Sequence, residues 1–297
     1  MKRCAAVFLL AVIAQSASAQ WRISSDQAVG GFKFPESAAY DPKGKVLYVG
    51  NFGGEKLAPA EKDGLGYLSK VGLNGKVIEE RVFPAKDGEK MNKPKGIWIQ
   101  GARLWVADID AIWIFDLRTK KQRRLAVQDA KFLNDPAIMG KALYVSDNRN
   151  DTLYKIEPAD FLDAKVKPNV TTVFSGAGVN PNGLAPSRSG MLYMVGFAGP
   201  KDPRFIAALG VSGQIKKLTE PFGGLDGIYE LSDGSLLFTN WYNGSLSHWS
   251  ESGGIKELAK GFKGPADFAV IPGSGGSLTV VVPDLVQSQL RFIQLRK

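Results

Sequence analysis

Four short stretches each set an oxygen-bearing side chain at the head of an apolar segment: "PES" with Glu36, "LND" with Asn134, "PNG" with Asn182 and "LDG" with Asp226. Two carboxylates and two amide carbonyls form a hard donor set with no imidazole or thiolate. Such a set suits Ca2+, which takes six to eight oxygen ligands at about 2.3 to 2.6 Å. Mg2+ or another divalent ion would accept the same donors, whereas zinc is disfavoured without His or Cys. Other chemistry is scarce, because the chain has one histidine, His248, one cysteine, Cys4, and no GxSxG nucleophile elbow. Activation of water therefore falls to a carboxylate. Asp226 is the first choice, with Asp135 or Asp147 in reserve. Lys95 adds a cation that could hold a substrate carboxylate or phosphate, or polarise a leaving group.

Taken singly, these residues have plainer explanations. Asn182 and Asp226 each precede Gly and could be turn residues that tolerate positive φ, and Glu36 could be a surface carboxylate. Recurrence changes the reading. An apolar pattern appears six times, as "VLYVGN", "RLWVAD", "ALYVSD", "MLYMVG", "SLLFTN" and "SLTVVV", and aligns Leu47, Leu104, Leu143, Leu192, Leu236 and Leu278. A second short element comes about ten residues before each leucine, and a turn and a third alternating strand come after it. Several copies then continue into a fourth strand after a Gly turn. Six repeats of about 40 to 60 residues, with about four strands each, predict an all-β fold, a six-bladed β-propeller of mainly four-stranded antiparallel blades. The sixth copy stops at its third strand, so the mature N-terminal strand is expected to supply the missing outer one and close the ring.

In a propeller the first strand of each blade lines the central channel. The equivalent starting positions are Glu36, Lys95, Asn134, Asn182, Asp226 and Ala266. The ends of the second strands return to the same face and carry Asn51, Asp108, Asp147, Gly196, Asn240 and Val282. Asn51, Asp108, Asp147 and Asn240, together with Asp135, are expected to support the inner residues or touch substrate. Loops 52–66 and 196–204 reach the same mouth, as a lid or a partner surface. His248 and the six tryptophans are expected to serve packing.

The opening "MKRCAAVFLLAVIAQSASAQ" predicts a secretory signal over residues 1–19, cut before Gln20, and a propeller domain over 20–297. The protein is then exported, periplasmic or secreted, and loses Cys4, which excludes disulfides, Cys–metal sites and Cys nucleophiles from the mature chain. The apolar run is too short for a membrane span. Loss of Lys2 and Arg3 lowers the formal charge from +9 to +7. The densest basic run, "RTKKQRR", lacks interleaved aromatics and suits a solvated loop or outer strand better than a nucleic-acid surface. Oligomeric state is not legible.

The four motifs, in blade order across essentially the whole mature chain, also resemble the metal-ligand motifs of the regucalcin/gluconolactonase family, and more distantly those of diisopropylfluorophosphatase and the paraoxonases. The resemblance implies a six-bladed propeller with Ca2+ or another divalent ion at the channel mouth and a small-molecule substrate, an anionic lactone or ester among the candidates. It also implies that Glu36, Asn134, Asn182 and Asp226 are ligands and that Asp226 is the base. Lys95 departs from the family pattern. Lys131 is the only counterpart of the arginine that gluconolactonases often carry before the ligand Asn, and no paraoxonase-type channel histidine is present. Two alternatives stay open: an exported binding platform with a structural ion, and a metal-free strictosidine-synthase-like propeller with a channel Glu.

Overall fold

The computed structural model describes residues 20–297; the expected signal segment, residues 1–19, lies outside them. A first strand, β1 (Arg22–Gly30), precedes five sheets of four consecutive strands. These are β2 (Pro35–Asp41), β3 (Val46–Asn51), β4 (Tyr67–Gly72) and β5 (Val77–Phe83); then β6 (Ile97–Gln100), β7 (Arg103–Asp108), β8 (Ala111–Asp116) and β9 (Gln122–Ala126); then β10 (Leu133–Met139), β11 (Ala142–Asp147), β12 (Thr152–Glu157) and β13 (Asn169–Ser175). The fourth sheet holds β14 (Pro181–Pro186), β15 (Leu192–Gly196), β16 (Ile206–Leu209) and β17 (Ile215–Lys217), and the fifth β18 (Leu225–Glu230), β19 (Leu236–Asn240), β20 (Ser245–Ser250) and β21 (Gly254–Lys260). The sixth contains β22 (Ala269–Pro272), β23 (Leu278–Asp284) and β24 (Gln289–Arg296), with β1 as its outer strand, antiparallel to β24. The fold is a six-bladed β-propeller of four-stranded antiparallel sheets.

Burial is highest in the second strands and falls toward the outer strand of each blade, whose free edge meets solvent. The second strands β3 and β7 are almost wholly buried, whereas the outer strands β1, β5, β13 and β21 are largely solvated and β9 is half-buried. The basic run ends in β9, an outer strand, and Arg123 there donates to the carbonyls of Phe161, Asp163 and Val166. Six hydrophobic clusters form the core, each joining two neighbouring blades around the ring. Leu47, Leu104, Leu143, Leu192 and Leu236 are fully buried in this system; each is worth roughly 1.5 to 3 kcal/mol relative to exposure.

The sixth repeat departs from the sequence alignment. Leu278 is only partly buried, while Val280, Val281 and Val282 are fully buried. The blade is two residues longer at its outer end, because Pro272 pairs with Leu278 and Pro265 bridges Asp284. Val280 thus stands at the leucine position and Asp284, not Val282, at the polar one. A run of valines has no internal feature that marks its register.

Candidate functional site

The inner strands do not run as regular ladders to the channel mouth. In β2, Pro35 faces Asn51 but Ser37 faces Gly50, leaving Glu36 as an extra residue. The same slip occurs between Leu133 and Pro136 in β10, between Pro181 and Leu184 in β14, and between Leu225 and Ile228 in β18. Each places two residues opposite one: Asn134 and Asp135, Asn182 and Gly183, Asp226 and Gly227. A β-bulge bends its strand and re-aims a side chain, and these four bulges hold the four sequence-predicted ligands. Asn182 and Asp226 are therefore strand residues, and the positive-φ turn residue of "NPNG" is Asn180.

Glu36, Asn134 and Asp226 line a cavity of about 650 Å3 together with Lys95, Asn148, Arg149 and Asn180. Phe52, Leu57, Phe132, Phe197, Trp241 and Leu285 form its apolar walls. Asn182 is buried beside Asp226; its Nδ2 donates to the Leu225 carbonyl at 2.9 Å, which leaves Oδ1 free. Among the described residues, Glu36 Oε2, Asn182 Oδ1 and Asp226 Oδ1 are all buried without a hydrogen-bond partner, and so is Asn148 Oδ1. A buried acceptor left unpaired costs about 1 to 3 kcal/mol, and more if charged, and these oxygens could form a cradle that a cation would satisfy. Among the described residues, no three His, Cys, Asp or Glu side chains group closely enough to hold a metal alone. Any ion here depends on the amide oxygens, as the donor set read from sequence implies.

Electrostatics agree with this cradle. Burial, followed by the charge of Asp226, raises the Glu36 carboxyl well above the usual range, while Lys95 opposes the shift. Asp226 is raised by burial and by Asp267. Asp135 is likewise raised by burial and then by Asp267, which is itself pushed up to about 7 by burial. Four carboxyls thus share one desolvated channel, a concentration of negative potential that a divalent ion would relieve. Asp135 lies deeper than the ligand set. It accepts from the Leu184 N–H at 2.6 Å and, with Asp267, lines a second cavity of about 380 Å3 on the far side of the channel. Sequence comparison passed over Asp267 because the aligned position is Ala266; the signal was the adjacent "AD", which repeats the "ND" of Asn134 and Asp135.

The outer polar ring shapes backbone and does not line the cavity. Asp108 accepts from the amides of Asn92, Lys93 and Ile109, and Asp147 from those of Lys131, Phe132 and Asn150. Asn51 accepts from Lys33, Asn240 from Tyr242, and Asp284 from Lys263 and Gly264. Apart from those at Ile109, Asn150 and Tyr242, each bond ties down the segment that leads into an inner strand, two or three residues before the site position. A carboxylate so engaged, Asp147 above all, is not free to activate water.

Lys95 is fully buried and lies over the Phe132 ring at 4.1 Å, with Nζ donating to the Lys93 carbonyl at 3.3 Å. Burial pushes its pKa down to about 8, opposed by Glu36 and Asp108. Lys131 is exposed and does not line the cavity; Arg149, two residues past Asp147, does. Loop 52–66 contributes Leu57 and Pro59 and is anchored where Lys93 Nζ meets the Phe52 carbonyl at 3.2 Å and the Asp63 carboxylate at 2.5 Å. Loop 196–204 contributes Phe197 to Pro200 and is fastened by Arg204 Nε on Asn180 Oδ1 at 2.8 Å. His248 sits on β20 in a groove on the outside of the ring, away from the mouth. Trp241 is at the cavity wall and meets Phe197 edge to face.

No known family profile matches this sequence, and no curated relative matches it either. Its fold is shared with solved six-bladed propellers of low identity. A gluconolactonase from Xanthomonas campestris superposes with TM-score 0.62 at 14% identity, over 93% of this chain and 91% of that one. A calcium-binding protein, regucalcin, from Agrobacterium tumefaciens gives 0.59 at 15%, over 90% and 92%. Virginiamycin B lyase from Staphylococcus aureus gives 0.60 at 13%, over 94% and 100%.

Proposed function

We propose that this protein is an exported, divalent-metal-dependent hydrolase of lactones or related esters, with calcium the preferred ion. The observation that carries the reading is the trio of buried, partnerless oxygens on Glu36, Asn182 and Asp226, each at a β-bulge, with Glu36 and Asp226 lining a small-molecule-sized cavity and Asn182 buried beside Asp226. With Asn134 these residues would hold the ion. A bound divalent ion would supply Lewis-acid polarisation of the substrate carbonyl and charge to balance the oxyanion. Asp226 would take a proton from the attacking water. Asp135 is spent on the Leu184 amide and faces the far cavity, and Asp147 holds backbone. The apolar walls exclude bulk water and accept a hydrophobic substrate body.

The gluconolactonase and regucalcin likenesses support this reading. Lyase chemistry fits less well. A solved form of virginiamycin B lyase is described as catalytically inactive on a histidine-to-alanine change, whereas the sole histidine here, His248, lies outside the channel mouth. Metal content of the purified chain, followed by turnover on a panel of lactones and aryl esters, tests the proposal. One ion per chain is expected, with lactone hydrolysis reduced at least about 100-fold by Asp226→Asn and abolished with the ion by Asn134→Ala, while His248→Ala leaves it unchanged. Absence of any bound divalent ion would overturn the metal assignment. A bound ion with no turnover would leave an exported binding platform in its place.

A further inference from the structure

Two cations line the cavity, and among the described residues neither makes an ion pair. Lys95 Nζ stands 4.1 Å from the centroid of the Phe132 ring and the Arg149 guanidinium 3.8 Å from the same centroid, and both side chains line the cavity. The nearby carboxylates on their blades are engaged elsewhere. Asp63 pairs with Lys93, Asp110 with Lys62 and Arg124, and Asp108 and Asp147 accept from backbone amides. Glu36 is close enough to act on Lys95 electrostatically but makes no ion pair with it, and belongs to the ligand cradle. A divalent ion on Glu36 and Asp226 would be balanced by those two carboxylates. The ammonium and the guanidinium would then remain as uncompensated positive charge against an aromatic wall.

Lys95 is fully buried whereas Arg149 is exposed; burying the ammonium without an ion-pair partner is costly, and an anion entering beside both cations would offset that cost. The ring faces of Phe132 offset part of it through cation–π attraction, worth about 0.5 to 2 kcal/mol, and they hold both heads beside the cavity. We infer that the substrate carries a carboxylate remote from its reacting carbonyl, and that Lys95 and Arg149 anchor that carboxylate across Phe132 while the carbonyl lies over the Glu36–Asp226 floor. The inference rests on the hydrolase reading for the reacting carbonyl, but not for the anion site. A carboxylate fits better than a phosphate dianion because the walls are apolar and a second buried charge would raise the desolvation cost.

Two measurements separate this inference from the hydrolase reading. The first is thermal stabilisation of the calcium-loaded protein by tetrahydrofuran-2-carboxylate, a ring ether acid that cannot be hydrolysed, against its methyl ester and against inorganic phosphate. The acid should raise the melting temperature of the wild type and fail to do so in Arg149→Met, whose exposed position makes folding safe, and in Lys95→Met; the ester should be inert in all three. The second is turnover of a γ-lactone carrying a carboxylate, compared with its methyl ester. The wild type should prefer the acid, and Arg149→Met should raise KM for the acid roughly 10- to 100-fold with little change in kcat, with partial recovery in Arg149→Lys. Stabilisation by the acid without turnover of any lactone would sink the hydrolase reading and keep the anion site. Turnover of acid and ester at equal efficiency, unaffected by Arg149→Met, would overturn the anion site and keep the hydrolase. Stabilisation by phosphate but not by the acid would replace the carboxylate with a phosphate ester.

Discussion

A Cβ placed on Gly183 would come within 2.1 Å of the carbonyl oxygen of Asp226. Two neighbouring inner strands therefore touch backbone to backbone at the point where Asn182 and Asp226 face the channel. The glycine of "PNG" is required by close approach and not by a positive φ. Gly96 and Gly227 show the same close approach, with virtual Cβ atoms at 2.7 Å from the Asp135 Cα and 2.9 Å from the Asp267 Cα.

Gly183→Ala should accordingly push blades four and five apart although it removes no ligand. Overpacking of this kind costs about 1 to 3 kcal/mol, or a fall of roughly 3 to 10 °C in melting temperature for a chain of this size. Calcium affinity should fall with it. Isothermal titration beside a thermal melt checks both; an unchanged affinity in a destabilised variant would separate the bulge from the ligand set.

Protonation and metal binding should oppose each other. Glu36, Asp135, Asp226 and Asp267 have folded pKa values raised above their unfolded ones, Asp267 to about 7. The ion-free fold prefers these groups neutral. Its stability is therefore fullest below the unfolded carboxylate range near pH 4 and declines as pH rises through the folded values. An ion that requires the charged forms binds with proton release. The gain in melting temperature on adding calcium should be larger at pH 8 than at pH 5; equal gains at both would argue against ligation by this cluster.

Ser146 couples the third blade to the fourth. Its hydroxyl donates to the Asn182 carbonyl at 2.6 Å and accepts from the Asp135 N–H at 2.8 Å, both buried. Ser146→Ala leaves a buried carbonyl and a buried amide unpaired, at about 1 to 3 kcal/mol. Chemical denaturation should show a lower midpoint with an unchanged slope.

Lys93 is buried against Asp63 from loop 52–66, with side-chain exposures of 1% and 18%. Asp63→Ala leaves the ammonium with the Phe52 carbonyl alone and should cost up to about 3 kcal/mol. The loss should be local at first, seen as faster proteolysis within loop 52–66 before any change in the global melt.

Most of the architecture was legible because the blade is a repeat. Leu47, Leu104, Leu143, Leu192 and Leu236 mark second strands by an apolar period that any sheet interior imposes, and the positions before them follow by counting. Counting failed in the sixth blade, where "TVVV" gives no register and Asp284 is found two residues beyond the aligned Val282. Arg149 and Asn148 were passed over for another reason: they follow the second strand in a loop, where no periodicity says which side chains turn inward.

The sequence alone determined the number of blades and the oxygen-only character of the four candidate ligands, since both depend on residue type and recurrence. Tertiary structure decided which of the polar residues share one cavity. It placed Asp135 on the far side of the channel, bound Asp108 and Asp147 to backbone, and left Lys95 and Arg149 unpaired around Phe132. Those outcomes depend on strand bulges and on contacts between neighbouring blades. A bulge is one extra residue in a ladder whose partner strand lies elsewhere in the chain, so it exists only once the strands have paired.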